Sequence, residues 1–124
     1  MPHETESDTE SKTQLYVNDE CSKCRFALAI LDERSIDAHH IRYLEEPPTQ
    51  GDLERLMQML AIDNPRQMMR TGEAVYAELG LADASPAQLL EAITTHPILL
   101  ERPIFVVGNR AVIARPPERL LELL

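Results

Sequence analysis

Residues 14–33 read Gln14-Leu15-Tyr16-Val17-Asn18-Asp19-Glu20-Cys21-Ser22-Lys23-Cys24-Arg25-Phe26-Ala27-Leu28-Ala29-Ile30-Leu31-Asp32-Glu33, and within them a strand gives way to a helix across two cysteines. Gln14 to Val17 is a short β-prone run that stops at Asn18-Asp19-Glu20. From Ser22 the apolar residues Phe26, Ala27, Ile30 and Leu31 recur at helical spacing, leaving Arg25, Asp32 and Glu33 for solvent. Cys21 therefore opens the helix. Unpaired backbone N–H groups and the positive end of the helix dipole favour a thiolate there. A drop of about one to two pKa units would be worth roughly 1.4–2.7 kcal/mol. Lys23 and Arg25 work in the same direction; Asp19 and Glu20 oppose them, partly screened by solvent. A residue that follows a strand and opens a helix is expected to be exposed. Cys24, one turn further in, is expected to be more buried and less acidic, and so better placed to resolve a disulfide than to start one.

Working outward, Ala38 to Leu44 reads as a second strand, stopped by Glu45-Glu46-Pro47-Pro48 because proline cannot continue a ladder. Thr49 with Asp52 caps a helix carrying Leu53, Leu56, Met57 and Leu60 on one stripe. Asn64-Pro65 starts a short helix over Arg66 to Arg70, and Glu73 to Leu79 forms another, ended by Gly80. Ser85-Pro86-Ala87-Gln88 is a capping box opening a helix through Leu89, Leu90 and Ile93. Ile104 to Val107, the turn Gly108-Asn109 and Ala111 to Ala114 make a β-hairpin. Pro116-Pro117 opens a final helix to Leu124. Residues 1–12 hold four acids against Lys12 and have no apolar periodicity, so they read as a disordered acidic tail ahead of one domain over 13–124.

The totals narrow the function. A chain of 124 residues suits one core. A net charge of −9 argues against a nucleic-acid partner, since phosphate is bound mainly by Lys and Arg. No apolar run approaches the roughly 20 residues that span a bilayer, and the acidic N-terminus resembles no leader, so a cytoplasmic protein without a membrane partner is expected. Ten of the 12 cationic residues are Arg, the better fork for oxyanions, although base composition can produce the same bias. The only two cysteines form one C-x-x-C, too close together to staple a secreted fold. Structural zinc needs more ligands, which His39 and His40 supply only on paper, so no metal is assigned. A redox or nucleophilic pair stands ahead of the remaining alternative, two buried structural cysteines. His39, His40 and His96 are read as strand or turn residues, and Met57, Met59, Met68 and Met69 as core fillers.

The order β-α-β, several helices, then β-β-α resembles an α/β thioredoxin-like fold with a helical insertion between its N-terminal βαβ and C-terminal ββα units. A C-x-x-C near a βαβ pattern points the same way. In that fold a cis-proline before the third strand faces the active thiol, which assigns the role to Pro103.

Five stretches carry a closer resemblance, covering residues 14–124: LYVNDEC, IRYLEEPPTQGDLERL, MMRTGEAVYAELGLAD, QLLEAITTHPILLERPIFVV and Ala114-Arg115-Pro116. They resemble the glutaredoxin-coupled ArsC type of arsenate reductase. The resemblance implies Cys21 as the nucleophile on arsenate and Arg70, Arg102 and Arg115 as the oxyanion-binding residues. It also implies no bound cofactor, glutathione as co-substrate, and glutaredoxin as the protein partner that clears the mixed disulfide. Arg25 matches a family position too, with stabilisation of the first helix as its plainer role. Singly, Arg70 reads equally as a helix C-cap, Arg102 as a turn residue and Arg115 as a partner of Glu118.

Two departures bear on mechanism. Val17 stands where these reductases often carry His, and Cys24 where they carry no Cys; the loop is also more acidic than the usual Asn-Pro-x-Cys. The second thiol allows an internal disulfide and thioredoxin as the reductant. It also allows a redox-sensing, protein-binding role like that of Spx relatives, or action on another oxyanion or a protein disulfide. A monomer is the starting expectation.

Overall fold

The computed structural model describes residues 13–124; the acidic tail expected over 1–12 lies outside them. Four strands, β1 (Thr13–Val17), β2 (His39–Arg42), β3 (Ile104–Val107) and β4 (Arg110–Ile113), form one sheet in the order β2-β1-β3-β4. β1 pairs parallel with β2 and antiparallel with β3, and β3–β4 is the hairpin. The parallel pair requires a crossover, supplied by helix α1 (Ser22–Glu33). This is the sheet of a thioredoxin-like fold, as the element order suggests.

Chain packing divides the molecule into two compact units, one running to Arg42 and resuming at Arg102, the other spanning Tyr43–Glu101. In the first, Leu15 and Val17 of β1, Phe105 of β3 and Val112 of β4 form one apolar cluster with Cys24, Ala27 and Leu31 of α1 and with Leu120. The spacing 24, 27, 28, 31 is the i, i+3, i+4, i+7 stripe of an amphipathic helix. Phe26, expected on that face, lies 100° away from Ala27 around the helix and is 62% exposed. Cys24 occupies the place in the stripe that the sequence reading gave to Phe26.

The second unit holds α2 (Gln50–Leu60), α3 (Ala74–Glu78) and α4 (Pro86–Thr95). Thr49 and Ser85 form the capping boxes that their sequences announce, and Asn64, expected as a helix start, forms one with Gln67. The helix expected over Arg66 to Arg70 is instead a single 3-10 turn, Pro65–Met68. Its last bond is Met69 N–H to Arg66 O; beyond it the chain extends, and Arg70 N–H donates to Leu99 O at 2.7 Å. Tertiary pairing has taken over the backbone donor that a further helical turn would have used. The terminal helix is likewise of 3-10 type, Pro117–Leu123. β2 is shorter than the expected run Ala38 to Leu44, and β4 begins one residue earlier than expected.

Candidate active site

The thiol pair is set by a loop of three residues. Val17 ends β1, and Cys21 is the N-cap of α1 with extended backbone angles and no side-chain cap. Asn18 organises the link between them. Its side-chain Oδ1 accepts from Glu20 N–H at 3.0 Å, closing an Asx turn. Its carbonyl accepts from Cys21 N–H at 2.9 Å. Its own N–H donates to Cys24 Sγ at 3.4 Å. The next residue is tied from outside: Arg42 Nε donates to Asp19 Oδ2 at 2.9 Å, and Arg25 Nη1 donates to the Asp19 carbonyl at 3.0 Å. The Asp19 carboxylate is therefore matched by a guanidinium, which lessens the repulsion of a thiolate that its charge would otherwise exert.

Cys21 is only 9% exposed, against the expectation of an open thiol, because its side chain joins the apolar cluster under α1. That burial is the largest influence on its acidity and raises the pKa. It is outweighed by the Cys24 N–H, the Cys24 thiol, the Lys23 N–H and the charge of Arg102, so the Cys21 pKa lies below the ordinary cysteine value. The helix-end N–H groups act as the sequence predicts. The guanidinium that assists comes from Arg102, distant in sequence, rather than from Lys23 or Arg25. Cys24 is fully buried and behaves oppositely. Burial comes first, and the hydrogen bond to Cys21 and the charge of that neighbour add to it; donation from Asn18 N–H and the charge of Arg102 only partly offset them, and the pKa is pushed up to about 12. Cys24 is thus the proton-bearing partner, its S–H directed to the Cys21 sulfur.

The arginines come from the hairpin. Ile104 pairs with Ile113, and Ala114 N–H donates to Pro103 O at 2.9 Å, so the register sets Arg102 opposite Arg115. Arg115 Nη1 donates to the Arg102 carbonyl at 2.9 Å rather than pairing with Glu118. Arg102 Nε and Nη1 are buried with no hydrogen-bond partner, the sole buried side-chain nitrogens or oxygens in that condition among the described residues. Buried donors are almost always satisfied, so an orphaned guanidinium edge beside a thiol marks a place for an acceptor. The peptide bonds preceding Pro103 and Pro116 are both cis. Arg70 belongs to the second unit, where its Nη1 pairs with Glu73 Oε2 at 2.6 Å. Within the same unit Met69 forms an antiparallel bridge with Leu100. Among the described residues no group of three or more His, Cys, Asp or Glu is arranged to hold a metal. None of their helices is long and apolar enough to cross a membrane.

The sequence reading passed over Asn18, Asp19 and Arg42 as positioning groups. The signal for Asn18 was present, since Asn two residues before a chain reversal is an Asx-turn residue. The Asp19–Arg42 pair spans 23 residues and had no local signature.

A C-x-x-C at the strand–helix junction of such a sheet, one thiol acidified and the other buried, defines a thioredoxin-like thiol oxidoreductase. The chain belongs to the ArsC family, whose profile matches residues 16–123. It is 42% identical over 112 residues to a protein of Haemophilus influenzae named arsenate reductase, covering 89% of this chain and 97% of that one. It is 39% identical over 114 residues to the Escherichia coli protein YfgD, which is described as uncharacterized, covering 90% and 96%. A solved structure titled arsenate reductase from Vibrio cholerae superposes with a TM-score of 0.88 at 43% identity, covering 90% of this chain and 97% of that one.

Proposed function

We propose that the chain reduces arsenate to arsenite, with Cys21 as nucleophile and Arg102 and Arg115 as the oxyanion site, Arg70 serving as a third arginine. The observation that carries this reading is the unsatisfied edge of Arg102 whose charge acts on the acidified Cys21 thiol. The names of the relatives above support arsenate as the substrate.

In this scheme the Cys21 thiolate attacks arsenic(V), forming an S–As bond as one As–OH bond breaks, and the departing hydroxyl takes up the proton that the Cys21 thiol gave up and leaves as water. A second thiol then attacks Cys21 Sγ. An S–S bond forms, the S–As pair passes to arsenic, and arsenic(III) leaves as arsenite, the second thiol losing its proton. Guanidinium donors suit the first step because the attacked group is anionic and is matched by charges that keep their own protons.

Two sources of the second thiol follow from the residues. External glutathione, with glutaredoxin clearing the mixed disulfide, is the route of the resembling family. Cys24 is the internal source, and its hydrogen bond to Cys21 favours it, since the two sulfurs already adjoin. That route ends in a Cys21–Cys24 disulfide and calls for thioredoxin. The same disulfide would also serve a redox-sensing module acting on a protein partner. Arsenate-dependent NADPH consumption, coupled to glutathione and glutaredoxin in one assay and to thioredoxin in another, tests the proposal. Turnover lost in Cys21→Ser supports it, and the productive coupling identifies the second thiol. Absence of turnover in both assays sinks the arsenate reading.

A further inference from the structure

We propose that Asn18 is the positioning residue of the thiol pair: its side-chain bond to Glu20 N–H sets the loop so that its main chain holds Cys21 and Cys24 together. The proposal deepens the preceding reading, resting on Cys21 as the reacting thiol, and adds a residue that acts through the two thiols.

Three bonds converge on this one residue, and each has a different end. The side-chain acceptor closes the turn at Glu20 at 3.0 Å. The carbonyl takes Cys21 N–H at 2.9 Å, fixing where the helix begins. The main-chain N–H reaches Cys24 Sγ at 3.4 Å, within the range of a sulfur acceptor. The last two are main-chain groups and survive any substitution, but only the turn aims them. Without the Oδ1 acceptor, the peptides between β1 and α1 lose the local bond that competes with other loop conformations. The outer ties through Asp19 remain, so the loop stays attached while the inner register loosens. Cys24 then loses a donor to its sulfur, and its own S–H is no longer held toward Cys21. The chain of donors running Asn18 N–H, Cys24 Sγ–H, Cys21 Sγ is thus only as ordered as the turn that starts it. Asn suits the position because its side-chain oxygen is a neutral acceptor. Asp would close the same turn but bring a negative charge beside a developing thiolate.

The pH profile of alkylation separates positioning from general loss of structure. The full chain is treated with iodoacetamide between pH 5 and 10 and digested with trypsin, whose cut after Lys23 separates Cys21 from Cys24. Asn18→Ala is expected to move the Cys21 midpoint upward by about half a unit to one unit, slowing its alkylation at pH 7 by about three- to tenfold. Asn18→Ser, whose hydroxyl closes the same kind of turn more weakly, is expected to recover most of that change. An Asn18→Ala profile that superimposes on the wild type overturns the proposal, as does Asn18→Ser displaced as far as Asn18→Ala. Should Asn18→Ala not fold, amide exchange in the wild type decides instead. Protection of Glu20 N–H of about tenfold or more over an unstructured chain supports the turn, and exchange at the unstructured rate refutes it. Alkylation needs no arsenate, so a failure here leaves the arsenate reading standing, and a chain inactive toward arsenate leaves this result intact.

Discussion

Arg102→Met is the substitution whose consequences separate binding from folding most clearly. Methionine keeps the apolar stem of the side chain while removing the charge and the two buried nitrogens that have no partner. Each orphaned buried polar group costs about 1–3 kcal/mol. The side chain is only half-buried and keeps some hydration, so the lower part of that range applies, and the variant should gain about 1–2 kcal/mol in oxyanion-free buffer. For a domain of this size that corresponds to a rise in Tm of about 4–8 °C. Arsenate should then reverse the order. At about 100 times its Kd it adds roughly 2.7 kcal/mol to the wild type, and it adds nothing to a variant that cannot bind it. Thermal unfolding of both proteins, with and without arsenate, is the assay, and the two pairs of curves should cross. Arg102→Met less stable than wild type without oxyanion would show that the guanidinium is satisfied after all. Equal stabilisation of both by arsenate would place the anion elsewhere.

The remaining predictions concern the thiols and one helix cap. Cys24→Ala should raise the Cys21 alkylation midpoint by about half a unit to one unit by removing a donor to the thiolate, whereas Cys24→Ser, which keeps a donor, should leave it within about 0.3 unit; equal shifts would refute the hydrogen bond. The folded-state pKa of Cys24 is about 12, above the roughly 8.5 of an unfolded cysteine, so its contribution to stability is complete below about pH 8.5 and declines as pH rises toward 12. Urea unfolding at pH 7 and pH 10 should therefore show wild type losing stability relative to Cys24→Ser, and a constant difference would refute it. Thr49→Ala removes the acceptor for Asp52 N–H and half of a capping box, and should lower the urea-derived stability by about 1 kcal/mol without changing Cys21 alkylation.

The fold was legible because its decisive junction is local. Strand residues, a loop and a helical stripe follow one another within residues 13–33, and each capping box is written in four consecutive residues. What escaped was set by partners far away in the chain. Nothing near Arg70 shows that its N–H is taken by Leu99 O, and so the helix was extended too far. Phe26 looked like a core residue because it is large and apolar. The sheet instead receives Cys24, small enough to sit against β1 and needed there beside Cys21. The exposure of Cys21 was misjudged for a related reason. A strand–helix junction is usually open, but here the side chain turns inward onto the cluster under α1. Among the site residues, both cysteines were announced by their spacing alone. The arginines were not, since no periodicity distinguishes Arg102 from Arg110, and only the resemblance singled them out.

The hairpin register has a consequence for how this chain tolerates change. Arg102 and Arg115 face each other because equal lengths of chain run out to the turn Gly108-Asn109, where Gly108 takes a φ of +64°, and back again. One residue added within either strand would turn its distal side chains to the opposite face of the sheet. An insertion between Gly108 and Asn109 is expected to leave the paired ladder alone, since it lengthens only the tip. The hairpin therefore works as a ruler with a forgiving end and an unforgiving shaft. Tags, labels or grafted peptides belong at its tip, and changes in length anywhere along its arms amount to changes in the spacing of the two guanidiniums.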